Sequence, residues 1–153
     1  MPVPRDNPYG AFNFKVTAER FGDAGTVQGG FQEVSGLSIE VTVAEYRNGN
    51  EPQNNVRKMA GMSKAGDVTL KRGVIGSSSF YDWINDVRDG NDATMRATVT
   101  IEMLDEARNG PVMTWTLINA FPTKHTGPTF NAKAATDVAM EELVLACESV
   151  TIT

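Results

Sequence analysis

His125 and Cys147 each occur once in this 153-residue chain, and together they are the obvious candidates for chemistry. A Cys/His pair supplies nucleophile and base to thiol hydrolases when the two come within hydrogen-bond reach and a third group orients the imidazole. Cys147, however, shares an alternating apolar face with Leu143 and Leu145, where a thiol behaves as a small, inert core side chain. His125 lies in the turn-rich stretch Thr123-Lys124-His125-Thr126-Gly127-Pro128 and reads as a surface residue. Carboxylates offer a second chemistry at Asp82, Asp86, Asp89 and Asp92. Asp82 and Asp86 fall opposite the apolar stripe of a helix, which makes them a solvated face. One histidine with scattered carboxylates gives no zinc spacing, and no Asp-x-Asp-x-Asp-Gly calcium loop is present. Gly22, Gly25, Gly29 and Gly30 lack the spacing of a dinucleotide or phosphate loop and read as turn glycines. No catalytic residue, metal or cofactor is expected.

The charges are less evenly spread than the reactive groups. Arg57, Lys58, Lys64, Lys71 and Arg72 face a single acid, Asp67, within residues 57–72. Residues 137–153 hold Asp137, Glu141, Glu142 and Glu148 and no base. Two readings fit. Both segments are merely solvated, or one molecule's basic segment meets another's acidic segment head to tail, a contact that builds rings or filaments. Lys71 and Arg72 against Glu141 and Glu142 are the candidates for such a contact.

The elements that carry these residues are short and mostly β. Alternation marks strands at residues 12–18 (Phe12, Phe14, Val16, Ala18), around 28–34, and at 37–47, where Leu37, Ile39, Val41 and Val43 form one face. Further runs follow at 67–72, at 95–103 and at 113–117, the last two as a hairpin around Asn109-Gly110. The stretch 138–153 reads as a strand with a phase slip at Glu141-Glu142, a bulge. One helix is clear: Phe80, Trp83, Ile84 and Val87 recur at helical spacing, Ser79 with Asp82 fits a capping box, and Gly90 fits a stop. Residues 1–9, with three prolines, read as an extended N-terminal arm ahead of a single domain at 10–153. Residues 48–56 are too polar to order themselves and read as a long mobile loop.

Composition bounds the class. The chain is 41% apolar and 22% charged, and a chain of this length buries a sizeable core without a disulfide or metal. A net charge of −5 disfavours nucleic acid as a primary ligand. No apolar run approaches the roughly 20 residues of a membrane span, so membrane insertion is not expected, and no signal-peptide pattern opens the chain. Folding in a cytoplasm is the expectation.

Several strings, in order, resemble the tube proteins of contractile phage tails and phage-tail-like injection systems. They are Phe31-Gln32-Glu33-Val34-Ser35-Gly36-Leu37, Glu45-Tyr46-Arg47-Asn48-Gly49 and Val68-Thr69-Leu70-Lys71-Arg72-Gly73, then Phe80-Tyr81-Asp82-Trp83 and residues 115–124 from Trp115 to Lys124. Gly127-Pro128 and Val138-Ala139-Met140-Glu141-Glu142-Leu143 complete the set. The resemblance implies an antiparallel β-barrel or sandwich with one short flanking helix, six copies of which close a ring. Rings would stack head to tail into a hollow tube inside a sheath, assembled in a bacterial cytoplasm as part of a tail or tail-like particle. Its partners would be the sheath protein, a baseplate hub or spike, a tube-terminating cap, and a cargo of DNA or effector protein in the lumen. The loop residues Asn48, Gly49, Asn50, Glu51, Pro52, Gln53, Asn54 and Asn55 would reach the adjacent ring. Polar strand faces such as Ser38/Glu40/Thr42 and Thr98/Thr100/Glu102 would suit a wet lumen, and ring closure would remove open sheet edges. Two rivals stand beside this reading: a monomeric ligand-binding β-barrel with an enclosed apolar pocket, and a small hydrolase using Cys147 and His125.

Overall fold

The computed structural model describes residues 4–18, 30–76, 78–133 and 135–153. The turn glycines Gly22, Gly25 and Gly29, and the start of the expected strand at residues 28–34, lie outside the described residues. Along the chain run β1 (Phe14–Ala18), β2 (Glu33–Ser35), β3 (Ile39–Tyr46), β4 (Arg57–Ala65) and β5 (Val68–Gly73). Then come α1 (Ser79–Arg88), α2 (Asp92–Met95), β6 (Ala97–Leu104), β7 (Pro111–Thr126), β8 (Met140–Ala146) and β9 (Ser149–Ile152). The protein is mainly β, as its alternation predicts, but with two helices instead of one. The four-residue α2 has too few positions to show a period.

Seven strands share one antiparallel system in the order β1-β6-β7-β8-β5-β2, with β9 also on β7. Strand β7 has 16 residues and pairs three other strands. Its first half lies between β6 and β9, and its second half pairs β8. Between the halves the β6–β7 register shifts, and Asn119 adopts φ 53. A bulged residue in the left-handed region bends the strand, and Asn is among the few side chains that accept that conformation. The Asn119 amide donates to Glu148 Oε2 at 2.8 Å, and the Glu148 N–H donates to the Ile118 carbonyl at 3.0 Å.

Period-2 patterning becomes alternate burial along β5, β6 and β8. Val68, Leu70, Val99, Ile101, Leu117, Leu143 and Leu145 meet in one core with Phe80 and Trp83 of α1. Burying a side chain of this size stabilises by about 1.5–3 kcal/mol, so this cluster docks the helix. Trp83 also donates from Nε1 to the Met95 carbonyl at 2.6 Å, fixing α2 against α1. Gly90 does end α1, at φ 75 and with its N–H on the Val87 carbonyl. The expected capping box does not form: Ser78 is the N-cap and makes no side-chain bond to the helix backbone, its hydroxyl bonding the Asp82 carboxylate instead, while the Ser79 hydroxyl accepts from Arg72.

Three further expectations change. Phe12 stands outside β1 and is 74% exposed, because the chain turns at Asn13, whose Oδ1 accepts two bonds from Arg108. The strand β4 carries no apolar alternation that would reveal it. The phase slip at Glu141-Glu142 does not exist: β8 alternates without interruption, and the break falls after Ala146, ahead of β9. Within the arm, Arg5 lies over the Tyr9 ring and holds Glu106 through two hydrogen bonds, at 2.6 and 3.1 Å.

Candidate functional site

β3 and β4 form a separate two-stranded sheet, from Ile39↔Ala65 to Tyr46↔Arg57 with a bulge between Val41 and Val43. Gly36 makes its departure from the main sheet possible: at φ 89, a Cβ there would come within 2.1 Å of the Asp67 carbonyl oxygen. Since residues i and i+2 share a face, Ile39, Val41 and Val43 lie on one side and Glu40, Thr42 and Ala44 on the other, as the alternation predicts. Neither side is covered. Every residue of β3 and all but Ala65 of β4 are exposed, including Ile39, Val41, Val43, Met59 and Met62. A lone hairpin of this kind is marginal in water, and its two outer edges present unpaired backbone groups. Cross-strand pairs such as Glu40 with Lys64, 3.9 Å apart and both exposed, contribute little.

The loop 48–56 joins the two strands at the far end of this hairpin. It has more internal structure than its composition suggests, because Arg47, at the end of β3, donates to the Gln53 and Glu51 carbonyls, both at 3.2 Å. Asn48 bonds the Tyr46 hydroxyl, and the Glu51 carboxylate lies 3.3 Å from Arg57. Asn50, Pro52, Asn54 and Asn55 ride on that frame around Gly49.

Lys71, Arg72, Glu141 and Glu142 come together, but inside one subunit. The β5–β8 ladder sets Lys71 opposite Glu142 and Arg72 opposite Glu141. Arg72 is in phase with Val68 and Leu70, and its side chain is fully buried. Its Nε donates to Glu141 Oε1 at 2.5 Å, its Nη2 to the Ser79 hydroxyl at 3.2 Å, and its guanidinium lies 3.8 Å over the Phe80 ring. Arg72 therefore has no surface to offer a neighbour, and Glu141 almost none. Lys71 and Glu142 point outward, Lys71 with its Nζ 3.6 Å from the Glu33 carboxylate. The signal for the buried pair is in the sequence: Arg72 and Glu141 each fall on the inward phase of an apolar alternation.

His125 is not in a turn. It lies within β7, half-buried, with Nε2 3.3 Å from Glu141 Oε2 and its ring edge-on to Phe80. Cys147 lies just past the Phe121↔Ala146 pair, while His125 pairs Leu143. Four residues along a strand span about 13 Å, so the two cannot act as nucleophile and base. Burial pushes the Cys147 thiol up, with Asp67 adding to the effect, which lowers its thiolate fraction at neutral pH. A groove of about 640 Å³ is open to solvent and lined by polar groups that include Glu33, Lys71, Asp137 and Glu142. It does not resemble the enclosed apolar pocket of a ligand carrier. Among the described residues, no group of His, Cys, Asp or Glu could hold a metal.

The profile of the T4-like virus tail tube protein gp19 matches residues 10–151. The chain belongs to that tail tube family. Its fold agrees with solved structures from contractile machines. One is the sheath-tube complex of an extracellular contractile injection system, PVC, in its extended state, with 33% identity over 97% of this chain and 93% of that one, at a TM-score of 0.81. Another is the tube-terminating cap of the anti-feeding prophage, with 31% identity over 100% and 95%, at a TM-score of 0.81. Hcp1 from Flavobacterium johnsoniae, 11% identical over 91% and 93% with a TM-score of 0.52, shares the fold alone. No curated protein matches the chain. The role of this tail tube protein is structural, and its uncovered hairpin is the feature that a lone subunit leaves unexplained.

Proposed function

We propose that six copies close a ring, that rings stack head to tail into a hollow tube within a sheath, and that the tube conducts DNA or effector protein through a target envelope. The observation that carries this reading is the β3–β4 hairpin, whose two faces and two edges are all open in the subunit. Ring closure covers the Ile39/Val41/Val43 face and pairs the free edges, which are the two liabilities of such a hairpin. The loop 48–55 then reaches a second copy in the next ring, and Lys71 and Glu142 remain as outward-facing, half-buried charges for contacts between copies. The partners are those of the similar structures: sheath, tube-terminating cap and baseplate. The subunit is made in a bacterial cytoplasm and ends in a tail or an extracellular particle, in which it catalyses nothing. Size-exclusion chromatography with negative-stain microscopy tests the reading. Six-fold rings or tubes are the expected outcome, and monomers across a wide range of concentration and salt would refute it.

A further inference from the structure

Residues 48–55, Asn-Gly-Asn-Glu-Pro-Gln-Asn-Asn, have no apolar side chain beyond Pro52 with which to build a core of their own. They nevertheless hold one shape, and the contacts converge on one guanidinium. Arg47 Nε donates to the Gln53 carbonyl at 3.2 Å, and Nη2 donates to the Glu51 carbonyl at 3.2 Å and to Asn54 Oδ1 at 3.4 Å. Around that centre, Glu51 Oε1 accepts from the Asn48 N–H at 3.4 Å, and the Glu51 N–H donates to the Asn48 carbonyl at 3.2 Å. Glu51, with its side chain only 18% exposed, also pairs Arg57. Glu51, Pro52, Gln53, Asn55 and Arg57 line a hollow of about 270 Å³, large enough for a side chain.

We infer that Arg47 is a positioning residue for assembly: it presets the 48–55 loop in the shape that receives a side chain of a second copy of this chain. This rests on the proposed docking of that loop between copies. A loop that must be ordered as it docks loses affinity to the conformational freedom it gives up, and one already fixed by its own chain does not. The choice of arginine follows from the geometry. Three acceptors from three different residues surround one planar group and are met from two of its nitrogens, Nε and Nη2, a spread that an ammonium with all three donors on one nitrogen does not have. β3 and all of β4 but Ala65 are exposed and form a sheet separate from the core strands, so the effect of Arg47 on assembly is separable from any effect on subunit stability.

The experiment compares the wild-type chain, Arg47→Ala, Arg47→Lys, a short-loop chain in which Asn-Gly replaces residues 48–55, and that short-loop chain with Arg47→Ala. Three quantities are read: amide exchange of residues 48–55 in free subunits, the critical concentration for assembly by sedimentation, and the thermal midpoint of the core. Arg47→Ala should raise both loop exchange and critical concentration about tenfold while leaving the midpoint in place. Arg47→Lys should restore only part of each. In the short-loop background Arg47→Ala should add nothing, because Arg47 acts only through the loop. A short-loop chain that is impaired while Arg47→Ala assembles like wild type overturns the inference alone. A short-loop chain that assembles like wild type overturns the docking of the loop, and the role of Arg47 with it. Unchanged loop exchange in Arg47→Ala also overturns the inference.

Discussion

Glu141→Ala should be the most damaging single change at a charged residue in this protein. It would strand the Arg72 guanidinium, whose side chain is fully buried and whose remaining partners include the Ser79 hydroxyl and the Phe80 ring. Removing one member of a buried pair costs about 3–5 kcal/mol, because the other charge stays desolvated without compensation. Thermal midpoints of chains this size fall by about 2–4 °C per kcal/mol, so a cost near 4 kcal/mol lowers the midpoint by roughly 8–16 °C. Arg72→Met alone leaves Glu141 with His125 and should cost about as much. The double variant Arg72→Met with Glu141→Leu should recover most of the loss, since apolar replacement of a whole buried pair is often neutral. Urea unfolding of the four proteins, below the concentration of assembly, gives the coupling energy, expected to exceed about 2 kcal/mol. Single variants each costing less than about 1 kcal/mol would refute the reasoning and put water beside Arg72.

Exchanging the outward charges, Lys71→Glu with Glu142→Lys, should leave the fold intact and shift assembly by no more than about 1 kcal/mol, mostly at low salt; a larger shift in sedimentation at high salt would contradict this. Arg5, chiefly through its hydrogen bond, holds the Glu106 carboxyl below its ordinary value. The arm contact is therefore complete at neutral pH and fades as the pH falls below the ordinary carboxylate range, so cleavage within residues 4–9 by an acid-active protease should rise at acid pH, and equal cleavage at neutral and acid pH would oppose it. Cys147, its thiol pushed up by burial, should alkylate slowly in the folded subunit and rapidly in urea. Rapid alkylation of the folded chain would contradict that burial.

What was legible in the sequence was whatever the core dictates. β5, β6 and the first half of β7 alternate because one face of each meets Trp83, Leu143 and their neighbours, and α1 shows its stripe for the same reason. β4 was invisible because no face of it is covered in the subunit, so Arg-Lys-Met-Ala-Gly-Met-Ser-Lys-Ala carries no inward phase. His125 was assigned to a turn because Thr, Lys and Gly-Pro surround it, yet pairing with β8 carries β7 on to Thr126. The charge pattern leaves two readings open, solvated faces or a contact between copies, and composition alone does not choose; register decides that Arg72 meets Glu141 within the same molecule. The loop looked mobile because its order comes from Arg47, a single residue outside the polar run.

The position of β8 between β5 and β7 has a consequence for how the molecule is made. Leu70 must wait for Leu143, and Val16 for Ile101, so the sheet is dominated by distant pairings that close slowly. The hairpin needs only residues 39–65 and can form early. At synthesis rates of roughly 5–20 residues per second, the 75 residues from Gly66 to Met140 take about 4–15 s to appear. For that interval a ribosome-bound chain exposes the Ile39/Val41/Val43 row on a hairpin that forms only marginally by itself, before the sheet that carries it exists. Neighbouring nascent chains on one message are thus exposed to premature cross-association, and a chaperone that shields the Ile39/Val41/Val43 face during translation would serve this protein better than one that acts after release.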